Sequence, residues 1–226
     1  MTHKDARNII IAVIYEGSGI MRIITISREF ASGGREVGKR LADELGFDYY
    51  DREIIKRIAE KSSFAPDYVE EMLDKGLPKI FPLTFGRTFS YPDSASQNFN
   101  RILLAEQQII TEIAEKGRDF VIVGRSADII LKKYKPFNIF VYADMPSKIL
   151  RCRQRAPQGE NLSDREYAKR IKKIDSARVS NRELIGNGGW GEKENYNLCL
   201  NTTDIEIKEI IPALANLALA YFQHSL

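Results

Sequence analysis

The amino-acid sequence predicts an α/β domain with a central, mainly parallel sheet of five strands flanked by helices. Two observations carry that expectation. Short apolar runs alternate with longer segments of helical period along the chain, the pattern of a parallel sheet covered by helices. The first such run, Ile23-Ile-Thr-Ile, passes through a short glycine-containing loop straight into an amphipathic stretch with Val37, Leu41 and Leu45 on one stripe. A chain of 226 residues, 43% hydrophobic and 29% charged, is long enough to bury one substantial core. One domain is therefore expected over residues 21–226, after an N-terminal extension of residues 1–20.

The elements follow in order. Met21 is followed at once by Arg22-Ile-Ile-Thr-Ile, a convincing opening strand, so residues 1–20 read as an appendage, a tag or an upstream start, or else as an extra edge strand. Strands are expected at 22–27, 47–50, 120–123, 139–143 and 198–201. Helices are expected at 34–45, 52–61, 66–74, 101–115, 146–155, 164–182 and 205–222. Pro66 and Pro146 stand in first turns, where the missing N–H has no cost. Residues 76–98 carry Pro78, Pro82 and Pro92 among several aromatics and read as a long irregular connection, the kind that serves as a binding loop or lid. The basic helix at 164–182 runs into Ile185-Gly-Asn-Gly-Gly-Trp-Gly, too rich in glycine to continue helical.

Composition excludes several classes. The apolar run at 9–15 is far shorter than the roughly 20 residues of a membrane span, and residues 16–20 make a poor signal-peptide cleavage site. Cys152 and Cys199 lie far apart and match no metal-ligand spacing; they read as reduced thiols of a cytoplasmic protein, one on a helix and one in a buried strand. A net charge of +3 suits small anionic substrates and does not demand a nucleic acid.

The loop Ala31-Ser-Gly-Gly-Arg, between a strand and a helix N-terminus, is a phosphate trap by its chemistry. Glycines let consecutive N–H groups turn inward, and the helix end adds partial positive charge. It departs from the Gly-x-x-x-x-Gly-Lys-Ser/Thr pattern: after the second glycine stands Arg35, not lysine, and Glu36 takes the place of the metal-binding hydroxyl. Read alone, the loop also fits an ordinary tight strand-to-helix turn.

The run Ile24-Thr-Ile-Ser-Arg-Glu-Phe-Ala-Ser-Gly-Gly-Arg-Glu-Val-Gly-Lys-Arg-Leu-Ala resembles the opening of the cytidylate-kinase-like family, a divergent branch of the P-loop nucleoside monophosphate kinases. Leu45-Gly-Phe-Asp-Tyr-Tyr-Asp-Arg-Glu-Ile-Ile-Lys-Arg-Ile-Ala is similar to the segment that follows in cytidylate kinases, and Phe120-Val-Ile-Val-Gly-Arg-Ser-Ala-Asp to the strand ending in Asp-Gly-Arg-Asp, with Val123 where relatives carry an acid. Ile171-Lys-Lys-Ile-Asp-Ser-Ala-Arg-Val-Ser-Asn-Arg resembles the family's basic lid, and Tyr196-Asn-Leu-Cys-Leu-Asn-Thr-Thr-Asp its last strand.

The resemblance implies a three-layer P-loop kinase fold with a mobile basic lid over about 156–192. It implies transfer of the γ-phosphoryl group of ATP, with Mg²⁺, to a nucleoside monophosphate (CMP-like) or a related small anionic acceptor. ATP would lie on Ser32, Gly33, Gly34, Arg35 and Glu36, and the acceptor on Asp51, Arg57 and Arg125. Arg35, Arg125, Arg178 and Arg182 would be catalytic, with Lys172 and Lys173 as helpers; of Arg151, Arg153 and Arg155 before the lid, Arg155 is expected to point inward. The residues alone leave other roles open: a helix cap for Asp51, a solvated charge for Arg57, a carboxylate partner for Arg125. Metal ligands are not assigned; Glu29 and Glu36 either serve a metal or neutralise Arg28 and Arg35, and Asp128 is a further candidate to act on it indirectly. The altered loop also fits a nucleotide-binding regulatory protein of the same fold with little or no kinase activity.

Overall fold

A computed structural model of the chain describes residues 21–75, 94–186 and 189–224. Strand β1 (Ile23–Arg28) leads into α1 (Gly34–Leu45), β2 (Asp48–Tyr50), α2 (Glu53–Ser62) and α3 (Pro66–Lys75). Then come α4 (Ser94–Glu115), β3 (Phe120–Val123), the short α5 (Ala127–Ile130) and β4 (Phe137–Tyr142). The chain ends with α6 (Met145–Gln154), α7 (Asp164–Ile185), β5 (Leu198–Asn201) and α8 (Ile207–His224). The strands form one sheet in the order β2-β3-β1-β4-β5, and every pairing is parallel.

Strand alternation sorts the core into two layers. Ile24, Ile26, Val121 and Val123 face α1 and α8, where Val37, Leu41, Leu214 and Ala218 close over them. Ile23, Phe120 and Ile122 face the other way and pack with Ile54, Ile58, Phe99, Ile102 and Ile110 of α2 and α4. The buried positions of α1 (Gly34, Val37, Gly38, Leu41 and Ala42) make the stripe its spacing predicts. Gly46 in left-handed backbone closes that helix, its N–H returning to the Ala42 carbonyl.

Helix α4 begins at Ser94, not near 101, so residues 94–98 of the expected irregular connection are helical. Phe99 and Ile102 explain the difference: both are fully buried and extend the apolar stripe toward the N-terminus, so packing holds the first turns. The remainder of that connection, 76–93, and the expected extension at 1–20 lie outside the described residues. Helix α7 runs to Ile185, and α8 starts at Ile207, two residues after its expected beginning. Cys199 is half-buried, since β5 is an edge strand, and both cysteines are free. No helix among the described residues is long and apolar enough to cross a membrane.

Candidate active site

Strands β1 and β3 lie side by side at the centre of the sheet, and the loops that leave their C-terminal ends share one edge. In parallel α/β sheets that edge is where ligands bind. After β1, Ala31 (φ 60) and Gly33 (φ 85) take left-handed backbone, giving the alternating conformation that turns N–H groups inward, and α1 begins at Gly34. A side chain at Gly33 would run into Ile207, so the loop is seated on α8. Thr202, at the end of β5, donates from its hydroxyl to the Ser32 carbonyl at 2.6 Å and fixes the loop from below.

After β3, three consecutive residues are left-handed: Gly124 (φ 76), Arg125 (φ 61) and Ser126 (φ 47). Non-glycine residues held there cost about 1–3 kcal/mol each, and such strain concentrates at functional sites. Gly124 has a second reason to lack a side chain, because the Arg28 guanidinium lies where a Cβ would stand.

Among the described residues, a larger and a smaller cavity open on this edge. The larger, of about 310 Å³, lies over the loop and is bounded by Gly33, Gly34, Arg35, Arg52, Arg151 and Arg155. The smaller, of about 50 Å³, lies at the end of β3 between Glu106, Arg125, Asn181, Arg182 and Trp190. Arg28 and Arg178 line both, and so stand at the junction. Arg178 Nη1 donates to the Arg28 carbonyl at 3.0 Å. Asp175, one turn before it, accepts from the Phe30 N–H at 2.7 Å. Helix α7 is thereby docked on the loop by a carboxylate and a guanidinium.

The charge at the junction is concentrated. Burial, together with the neighbouring charges of Arg178 and Arg125, pushes the Arg28 guanidinium down to about 9. Burial likewise pushes the Glu106 carboxyl up to about 7, against the opposing pull of Arg125 and Arg28. Arg35 forms an ion pair with the buried Asp51. A site built this way attracts an anion, and one that neutralises these guanidinium groups relieves their mutual repulsion.

The expected residues divide accordingly. Gly33, Gly34, Arg35, Arg125, Arg178 and Arg182 all line one cavity or the other, and Asp51 reaches the site through Arg35. Ser32 is buried with its hydroxyl bonded to the Glu29 carbonyl at 2.9 Å. Glu36 points outward, between Arg40 at 2.9 Å and Arg155 at 3.3 Å. Arg57 joins neither cavity; it pairs with Glu112 at 3.3 Å between α2 and α4, beside Lys61. Arg182 forms a buried pair with Asp128 at 2.7 Å, which accounts for Asp128 without a metal role. Lys172 and Lys173 face solvent.

The metal question has a chemical answer in the donor set. Among the described residues no group of three or more His, Cys, Asp or Glu side chains is placed to hold a metal ion. The carboxylates beside the loop already face cations: Glu29 with Lys148, Asp51 with Arg35, Glu36 with Arg40 and Arg155. These residues do not fit a protein-held magnesium.

Arg28, Glu106, Asp175 and Asn181 were not expected at the site. Glu106 had a signal: it interrupts the apolar stripe formed by Ile102, Ile109, Ile110 and Ile113. Asp175 and Arg28 lie within the runs that carry the family resemblance, although nothing in their immediate spacing separates them from solvated charges.

Comparison with known proteins agrees with this architecture. The family model described as "Cytidylate kinase-like family" matches residues 23–204. An uncharacterized protein from Eubacterium ventriosum has a similar structure, with TM-score 0.62 and 21% identity over 90% of this chain and 99% of that one. Shikimate kinase from Acinetobacter baumannii, solved with shikimate, gives 0.52 and 12%, covering 93% and 98%. Shikimate kinase from Bacteroides thetaiotaomicron gives 0.51 and 16%, covering 87% and 98%. At these identities the likeness is one of fold. No curated protein sequence matches the chain.

Proposed function

The chain belongs to the cytidylate kinase-like family, and on that premise we propose that it transfers the γ-phosphoryl group of ATP to a nucleoside monophosphate or a related small anionic acceptor. One observation carries the reading: a cavity over the phosphate loop meets a second cavity at Arg28 and Arg178. Phosphoryl transfer demands little covalent chemistry. It needs donor and acceptor held in line and positive charge against the oxygens of the group in flight.

In this reading the loop amides, Gly33, Gly34 and Arg35 hold the donor phosphates over the α1 N-terminus; a magnesium ion would be held by the nucleotide rather than by the protein, and would supply charge neutralisation. Arg125 holds the acceptor. Arg178 and Arg28, fixed charges at the junction, face the developing charge of the transition state. Asp51 orients Arg35. The segment 156–192 acts as a lid, with Asp175 and Arg178 as its latch. The protein works in the cytoplasm, where its two free thiols stay reduced.

A second reading, a nucleotide-binding regulator with little or no activity, draws on two observations. The Ser32 hydroxyl is committed to the Glu29 carbonyl, and Glu36 is held between two arginines, so neither offers a metal ligand. ATP consumption with Mg²⁺ across a panel of nucleoside monophosphates and small hydroxy-anions, beside an Arg35→Ala control, separates the two. Acceptor-dependent turnover that collapses in the control supports the kinase. ATP binding without turnover of any acceptor supports the regulator.

A further inference from the structure

Two of the described buried side-chain atoms that receive no hydrogen bond from the protein, Glu106 Oε1 and Asn181 Oδ1, belong to residues lining the same small cavity. Both are acceptors. Glu106 is 2% exposed and stands on α4, which packs beneath the sheet edge; the Arg125 Nε lies 3.9 Å from its Oε1, beyond hydrogen-bond reach. Asn181 has its amide nitrogen bonded to the Leu73 carbonyl at 2.6 Å, while its buried oxygen receives no hydrogen bond. A cavity that leaves two buried acceptors unpaired is built for a ligand that brings donors. A phosphate group at neutral pH brings acceptors, and a buried carboxylate beside it repels it.

We infer that the acceptor oxygen is a hydroxyl of a small anionic alcohol, that Glu106 takes its proton, and that Asn181 receives a second donor of the same molecule. The inference rests on the phosphotransferase reading and narrows it. The anionic group of the acceptor pairs with Arg125 and Arg28, which line the same space. A cavity of about 50 Å³ admits a few water-sized groups, such as the hydroxyl-bearing end of an acceptor. In the step, the hydroxyl oxygen forms a bond to the γ-phosphorus of ATP as the bond from that phosphorus to the β,γ-bridging oxygen breaks. The hydroxyl proton passes to Glu106 Oε1 and then to solvent, and ADP leaves with the electron pair of the broken bond. Glu106 is suited to this because burial holds it near neutrality, where a base is both ionised and able to bind a proton.

The test uses the full chain with Mg²⁺ and ATP, with glycerate, shikimate and ribose 5-phosphate as hydroxyl acceptors and CMP, UMP and AMP as phosphate acceptors. A hydroxyl acceptor is expected to be turned over, with kcat rising with pH to a plateau above about 7. Glu106→Gln is expected to lower kcat by about 10²–10⁴-fold and to flatten that rise, with the KM for ATP unchanged. Glu106→Asp, which keeps a carboxylate, retains the pH dependence and guards against a folding defect. Turnover of monophosphates alone overturns the inference and leaves the kinase intact. No ATP consumption with any acceptor overturns both. A Glu106→Gln enzyme with wild-type rate or pH profile reduces Glu106 to a counter-ion of Arg125 and overturns the inference.

Discussion

The guanidinium of Arg178 donates to the backbone carbonyl of Arg28 at 3.0 Å, so a helix late in the chain holds the first strand at the point where it becomes the phosphate loop. Asp175 completes the hold by accepting from the Phe30 N–H at 2.7 Å. Removing the carboxylate frees a loop amide and loosens α7 locally, since stability is not uniform across a fold. Asp175→Ala is therefore expected to speed hydrogen exchange at Phe30 and along 171–182 while exchange in β1 and β3 stays slow.

Arg28 is the most strained charge of the site. Its guanidinium titrates near 9, far below the ordinary 12.5, so protonating it in the fold costs stability at every pH below about 9. Arg28→Met is expected to raise the melting temperature of the free protein, a half-buried charge crowded by Arg178 and Arg125 giving way to an apolar group. The same change is expected to abolish the stabilisation that ATP or inorganic phosphate gives the native protein. Thermal melts with and without phosphate check both halves.

Arg182 and Asp128 make a pair in which both side chains are about 5% exposed or less. Removing one partner strands the other charge in the interior, at a cost of about 3–5 kcal/mol. Arg182→Ala and Asp128→Ala are each expected to lower the unfolding free energy by that amount, read from the denaturation midpoint, and the double variant by less than the sum. A catalytic role for Arg182 without a structural one would leave the midpoints unchanged.

Glu106 gives a pH signature of its own. Its folded value is about 7 against an ordinary 4.5, so between those values the native state holds more protons than the unfolded chain. Its contribution is complete below pH 4.5, declines as pH rises through that window, and is gone above 7; the span is about 3 kcal/mol at most. Denaturant midpoints from pH 4.5 to 8 are expected to show that decline in the wild type and not in Glu106→Gln.

Much of this architecture is legible in the sequence because the strands carry their own evidence. Ile23-Ile-Thr-Ile and Phe120-Val-Ile-Val are apolar on both faces, as only a covered parallel strand needs to be, and the glycine loop announces the turn into α1. In the site, backbone chemistry marks Gly33, Gly34, Gly124 and Arg125, and the motifs around them mark Arg35, Arg178 and Arg182. Arg57, within a helix, and Arg125, just before one, both read as candidate acceptor arginines, yet one meets Glu112 at the surface and the other Glu106 in the interior, a difference made by long-range packing. Arg28 and Asp175 are 147 positions apart and become partners of one loop only through the docking of α7.

The account stands most directly on Arg178, and the measurement is turnover and ATP affinity of Arg178→Ala beside the wild type, with the acceptor the wild type uses. If Arg178 faces the group in flight, kcat falls by about 10²–10³-fold while the Kd for ATP changes little. A variant with wild-type kcat, or one whose entire loss lies in ATP affinity, would contradict the placement of phosphoryl transfer at the Arg28–Arg178 junction.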